Sequence, residues 1–295
     1  MTIFSIYFLI ATYWQFQPIE EIIHSFAAPA QEICKNLLNF NSRHLVFYQA
    51  IACGTSVNNP TYEVLKTVSL WHVVIVSAGH FKVIQWALKR LIPERNYIHL
   101  LILFLFCLWT GAQPPVVRAY LELLMKKAST GFKLWIPEVN CLVLTGALGL
   151  IFFPSWATSW SFLLSWLCAL LLLLLKNQSL IKQALGIWLG LLPVISLFST
   201  PHPLSFLFNI ALGPALSSLL FPATLLMTVV SSLHLIVDPL LEGLLFLLNS
   251  IIVKTSTSST TLILGDKQLV FCWLYVLSLQ IYLILRERLN VSFKN

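Results

Sequence analysis

The stretch LWHVVIVSAGHFKVIQWALKR, Leu70 to Arg90, decides how this chain folds. It is apolar enough to lie in a membrane, yet it places His72, Ser77, His80, Lys82 and Gln85 where a simple anchor would carry leucine. Read as one continuous helix at about 100° per residue, it sets Ser69, His72, Gly79 and His80 in one sector, Lys82 and Gln85 on the other side, and Ser77 between. An ionisable group at a bilayer centre costs at least roughly 2.5 to 3.5 kcal/mol. With polar groups around most of its circumference, the segment belongs in a protein interior or its helix is broken. The small residues Ser77, Ala78 and Gly79 permit either a close helix crossing or a local unwinding.

The rest of the chain has the same character. Hydrophobic residues make up 58% and charged residues 10%, where globular proteins carry roughly a quarter charged. Runs near the length that crosses about 30 Å of hydrocarbon recur with no soluble, domain-sized stretch between them. After the first segment they are 68 to 88, 97 to 112, 114 to 127, 138 to 153, 161 to 175, 183 to 199, 205 to 231, 236 to 253 and 268 to 285. Many of the 14 prolines lie in or beside these runs, where neighbouring helices satisfy the carbonyls they free. The expected fold is therefore all-α: a polytopic integral membrane helical bundle with broken or re-entrant helices.

Two regions follow. Residues 1–45 hold an N-terminal hydrophobic segment and an amphipathic outer segment, and 46–295 form the membrane domain. Met1 to Trp14 lacks a basic n-region and an A-x-A cleavage site, so it reads as a retained segment that spans the membrane or lies at its interface. Helical periodicity near Ile22 to Leu38 and turn residues at Gly54 to Pro60 place the next stretch against the membrane surface or the bundle mouth. Lys254 to Thr261 reads as a polar connector.

Lysine and arginine give an orientation. If 68 to 88 enters from outside, the inner loops hold Lys89, Arg90, Arg95, Lys126, Lys127, Lys133, Lys176, Lys182, Arg286, Arg288 and Lys294, which is most of the 18 basic residues. That is the positive-inside pattern, and it accounts for the net charge of +7 without invoking nucleic acid. The six cysteines form no CxxC pair and no ligand spacing with histidine, and the seven histidines are scattered, so neither a metal nor a cofactor is expected. Cys107, Cys141, Cys168 and Cys272 read as small hydrophobes in helices. Cys34 and Cys53 either face an oxidising compartment together and pair, or remain thiols.

Four stretches in order carry a family resemblance. Phe47 to Ile84, FYQAIACGTSVNNPTYEVLKTVSLWHVVIVSAGHFKVI, resembles the membrane competence domain of the ComEC family of DNA-uptake channels. Gly54, His72, Ser77 and His80 fall in register with its pattern, and Ala78 and Gly79 depart from it. GAQPPVVRA, Gly111 to Ala119, resembles the family's hairpin turn through Gly111, Pro114, Arg118 and Ala119. SFLLSWLCALLLLLL from Ser161 is similar to its Leu-Ser helix. PHPLSFLFNIALGPALSSLLFPATLL from Pro201 is similar to its Asn-then-Pro broken helix, through Asn209, Gly213, Pro214 and Pro222.

The resemblance implies a multi-pass protein of the cell inner membrane that carries a single strand of transforming DNA from the periplasm to the cytosol, surrounded by membrane lipid. Many members add a small outer β-barrel and a metallo-β-lactamase-like domain. Neither is legible here, so strand degradation is expected of a separate nuclease, alongside a periplasmic DNA receptor and a cytosolic translocase, with a homo-oligomer also compatible. No catalytic residue is expected. Candidate residues along the DNA path are His72, Ser77, His80, Lys82, Arg118 and Asn209, and the candidate helix breaks are Ala78, Gly79, Gly111, Pro114, Gly213 and Pro214. A single-stranded path needs cations for phosphates and aromatic faces for bases, although Trp71, Trp86 and Trp109 equally suit an interfacial belt.

Simpler readings stand beside these. The histidines can be structural ties between helices, Arg118 can pair with Glu122 one turn on, and Pro214 and Pro222 can merely kink a packing helix. Two other functional classes compete: a small-solute permease or structural subunit of an uptake machine, and an intramembrane hydrolase using Ser77 with His72 or His80. The permease lacks a visible inverted repeat. The hydrolase needs an orienting carboxylate, and of the 11 acidic residues only Glu122 stands out at depth.

Overall fold

A computed structural model describes residues 17–57, 59–71, 77–92, 97–197, 202–253 and 266–292. Their regular structure is helical throughout, with no strand among the described residues. His72, the first hydrophobic segment to residue 16 and the 254–261 connector lie outside the described residues.

The outer segment forms a cap. Helix α1, Gln17–Leu37, buries Ala27 and Cys34, with Leu38 just beyond, and packs on α2, Leu45–Cys53, and on α5, Tyr97–Trp109. Its neighbouring stripe, Ile22, Phe26, Ile33 and Leu37, is exposed, as the amphipathic reading expects. Cys34 and Cys53 are joined in a disulfide that ties α1 to the end of α2. Gly54 then stops α2 in the left-handed region, φ 70°, its N–H returning to the Ala50 carbonyl. Glycine suits that position because it carries no Cβ. A 3₁₀ turn, Pro60–Tyr62, leads into the short helix α3, Glu63–Thr67.

The opening stretch is broken, and later than a single 68 to 88 helix requires. Helix α4 covers Ala78–Leu91, and Ser77 before it is extended at φ −124° and ψ 168°. The sectors computed across a continuous rod therefore do not apply to Ser69 relative to His80. Ala78 and Gly79 begin the helix, and Ser77 before them is not helical.

Beyond it the apolar runs give α5, then α6, Pro114–Gly131, α7, Glu138–Phe152, α8, Trp160–Leu174, and α9, Leu180–Ile195. The α5–α6 reversal sits where Gly111 (φ 69°) and Ala112 (φ 53°) are left-handed, and Pro114 opens α6 at a position whose N–H would have no partner anyway. At about 1.5 Å per residue, α5 is only some 20 Å long, short of a full span. Helix α8 is the hub: it packs on α6, α7 and α9, and buries Phe162, Leu163, Trp166, Leu167 and Leu170 completely.

Among the described residues, the helices long and apolar enough to cross a membrane lie in the last third: Ser205–Met227, Ser231–Ile251 and Gln268–Glu287. The first is α10, Ser205–Ala215, a π segment, Leu216–Leu220, and α11, Phe221–Met227. Gly213 and Pro214 do not break it. The backbone stays right-handed helical through Ala215, Leu216 and Leu220, and the irregularity is the π segment that follows, one wide turn that takes up the proline without leaving the helix. Helix α12, His234–Val253, and α13, Asp266–Ser292, complete the bundle, with α13 against α7 and α8.

Strict alternation of sides fails across the Ser205–Met227 helix. His202, just before it, donates its backbone N–H to Thr67 at the end of α3, while α11 packs on α2, so both ends meet the cap. Asp238, which alternation would set on the inner side, is bonded to Ser42 and Tyr48 of the outer segment.

Candidate functional site

The predicted residues fall into three neighbourhoods. In the first, Arg118 lies one turn into α6 and is 4% exposed. Its Nε donates to the Ser165 hydroxyl of α8 at 3.0 Å, and its Nη1 donates to the Glu122 carboxylate at 3.3 Å. Lys126, one turn further, donates to the other Glu122 oxygen at 2.6 Å. Lys82 is exposed on α4 and close enough to add its field at Glu122 and at Cys168. Two cations thus bond one carboxylate where α6 meets α4 and α8. A charge-assisted pair of this kind needs full hydrogen bonding to survive burial, and Ser165 supplies what Glu122 leaves open. The Arg118 and Glu122 pairing is present as read, whereas Ser165 is a residue the sequence reading missed.

The second neighbourhood is the start of α4. The Ser77 hydroxyl accepts the Gly79 N–H at 3.2 Å, and the His80 Nδ1 accepts the Ser77 N–H at 3.1 Å. This is a capping box with histidine where glutamate or glutamine is usual. The His80 ring is 0% exposed and stacks on Phe221 at 4.3 Å between centroids. The hydroxyl and this imidazole nitrogen are therefore used by the helix start. The nitrogen facing Ser77 takes its backbone N–H rather than its hydroxyl, which is not a nucleophile–base pair.

The third is α10. Asn209 donates from Nδ2 to the Ser205 carbonyl one turn back at 2.8 Å, and its buried Oδ1 has no hydrogen bond among the described residues. Asn209 rides on a helix packed against α9, apart from the Arg118 cluster. The structure brings Arg118 and Lys126 to one carboxylate, with Lys82 on the neighbouring helix but not bonded to it, and the hydrogen bonds given above for Ser77, His80 and Asn209 go elsewhere. Between α6, α7 and α8 the interior is filled by Phe162, Trp166 and Leu170. Gly146 of α7 admits this packing, since a Cβ there would stand 2.1 Å from the Trp166 ring.

The cap is seated on the α5–α6 turn that precedes Arg118. Gln31 of α1 donates to the Cys53 carbonyl and Gln113 donates to the Gly54 carbonyl, each at 2.8 Å. Gly54 and Gly111 allow the approach: a Cβ on the first would meet the Thr110 carbonyl oxygen at 2.5 Å, and on the second the Gln31 amide at 2.5 Å. The disulfide and the hairpin carrying Arg118 are thus one mechanical unit.

A further polar group escaped the sequence reading. Asp238 of α12 accepts from the Ser42 hydroxyl at 2.8 Å and from the Tyr48 phenol at 2.6 Å. Burial and this carboxylate push the Tyr48 phenol up. One turn on, Glu242 stands 3.6 Å from both Arg43 and His44. A cavity of about 340 Å³ opens beside these groups, lined by Asn41, Ser42, Arg43, His234, Asp238 and Glu242. Among the described residues no group of three or more His, Cys, Asp or Glu side chains is placed to hold a metal ion.

A family model described as Competence protein matches residues 56–289. An uncharacterized protein of Aquifex aeolicus (strain VF5) is 35% identical over 187 residues, covering 58% of this chain and 44% of that protein. The matched stretch is thus less than half the length of that relative. No solved structure matches significantly.

Proposed function

The chain belongs to the competence protein family, and from that premise we propose that it forms the membrane conduit through which a single strand of transforming DNA passes into the cytosol. The observation that carries the reading is the Arg118 cluster. Buried Arg118 and half-exposed Lys126 both bond Glu122, with Lys82 exposed on neighbouring α4, so the group is cationic overall. A phosphate can take the place of Glu122 as partner to a guanidinium, which recognises both anions through the same fork of donors. The filled interior around Trp166 then corresponds to a closed state, with α4 and the cap as the parts that border the cluster.

In this reading the protein is a multi-pass component of the cell inner membrane and not an enzyme. In the same reading a nuclease degrades the other strand, a periplasmic receptor captures DNA at the surface and a cytosolic translocase supplies the energy for movement. A structural-subunit reading draws on one observation, the completely buried Phe162 and Trp166 at the hub.

The test is labelled DNA in cells carrying Arg118→Gln with Lys82→Gln, following cytosolic arrival separately from surface capture and checking membrane insertion by immunoblot. Loss of arrival with capture and insertion intact supports the conduit. Normal arrival in the double variant removes it and leaves the structural reading.

A further inference from the structure

We propose that His44 is a proton-operated latch between the cap and α12. The ring opens α2 and is 5% exposed. Its Nδ1 lies 2.8 Å from the Tyr62 hydroxyl. Burial and the nearby Asp238 push that phenol up to about 12, so it keeps its hydrogen and can donate to Nδ1. With the phenol as donor, the neutral imidazole carries its hydrogen on Nε2.

That N–H has no hydrogen bond among the described residues. It points at Glu242, whose Oε1 is 3.6 Å away, outside hydrogen-bond range. Arg43, 89% exposed in its side chain, stands at the same distance from the same oxygen and is its weaker, solvated competitor. The cavity beside Glu242 gives water and protons access to the gap.

Among the described residues, the titratable and charged groups around the ring are these. Tyr62 and the surface pair Glu63 and Lys66 come from the 3₁₀ turn and α3. Tyr48 meets the ring edge-on from α2. Asp238 and Glu242 come from α12, with His234 stacked on Phe40 and its Nδ1 2.6 Å from the Ser231 carbonyl. Asp238 already fastens Ser42 and Tyr48 to α12, and the His44 backbone N–H donates to the Ser42 hydroxyl. The Glu242 contact is the loose half of this seam.

When a proton adds to Nδ1, the ring donates to the Tyr62 oxygen and the phenol hydrogen turns away. The imidazolium then presents its Nε2–H and its charge to Glu242. The gap closes and the cap binds α12 more tightly. An imidazole gains its charge on acidification, so lower pH locks this seam and higher pH loosens it. The latch acts on the protein's own fold and is independent of what the bundle conducts.

Hydrogen–deuterium exchange of the full protein in lipid nanodiscs tests it, corrected for intrinsic exchange, with peptides covering 39–48 read against 160–171. A charge-assisted bond corresponds to about a tenfold change in the opening equilibrium. Protection of 39–48 should rise about that much from pH 8 to 5 in the wild type, stay flat in His44→Gln and Glu242→Gln, and rise at least as much in Arg43→Ala. Glu242 is half exposed, so its amide variant keeps the fold if His44→Gln does not. Unchanged protection in the wild type, or a rise that persists in Glu242→Gln, overturns the latch.

Discussion

Replacing Gly54 by alanine probes the seat of the cap on the Arg118 hairpin. Two costs add. A left-handed residue with a Cβ costs roughly 1–2 kcal/mol, although Ala112 in the facing turn already accepts φ 53°. The second cost is steric and larger in reach. The new Cβ would lie 2.5 Å from the Thr110 carbonyl oxygen, where ordinary contact begins at 3.4 Å, so 3.4 − 2.5 = 0.9 Å must be opened against backbone. Neither side yields easily, because Cys53 is held by its disulfide and Gln113 is bonded to the Gly54 carbonyl. Overpacking of this kind costs about 1–3 kcal/mol, which gives a total of about 2–5 kcal/mol. The assay is thermal unfolding of the detergent-purified protein, with Gly243→Ala as control. Gly243 is helical with open space at its Cβ, so that change should be neutral or gain up to about 1 kcal/mol. If Gly54→Ala melts with the wild type while its disulfide forms normally, the cap is not seated as described.

Gly146→Ala should lower stability by about 1–3 kcal/mol through its clash with the buried Trp166 ring, and the same change should cost less when made on a Trp166→Leu background in the same melt. Reducing the Cys34–Cys53 bond, which closes 19 residues of sequence, should cost about 3 kcal/mol, read as a reductant-dependent fall in melting temperature that Cys34→Ser abolishes. The Tyr62 phenol titrates higher folded than unfolded, so its contribution to stability is fully present below pH 10.0 and lost as pH rises toward about 12. Phenolate absorbance should lag accordingly, and Tyr62→Phe should flatten the alkaline loss of stability. Ser165→Ala removes the partner of the Arg118 Nε and should cost about 1–3 kcal/mol, whereas Ser165→Thr should retain most of it.

The runs were legible because burial in lipid or among helices asks only for apolar length. The 138 to 153 run became Glu138–Phe152, and the Gly111–Pro114 reversal came where turn chemistry placed it. The Arg118 and Glu122 pair was legible from i,i+4 spacing alone. Ser165 was not, since one serine in a leucine-rich run gives no sign of what faces it across a helix crossing. The Ser77 and His80 cap was hidden because a helix that begins inside an apolar run changes no composition, and histidine is an unusual capping partner. Asp238 and Glu242 were passed over because alternation put them on the far side from Ser42, and the helix whose ends both meet the cap carries no mark of that in its hydropathy. The π segment has the same leucine-rich composition as the turns around it.

That widened turn at Leu216–Leu220 fixes the angular phase of everything after it. A π segment accommodates one residue more than the α-helical turn it replaces, and each residue turns a helix by about 100°. Excising a single position there would straighten the rod and swivel Phe221 away from the His80 imidazole it covers. Thr224 and Met227, now 0% exposed, would swing with it. The helix thus tolerates exchanges of side chain within this turn far better than a change in the number of its residues.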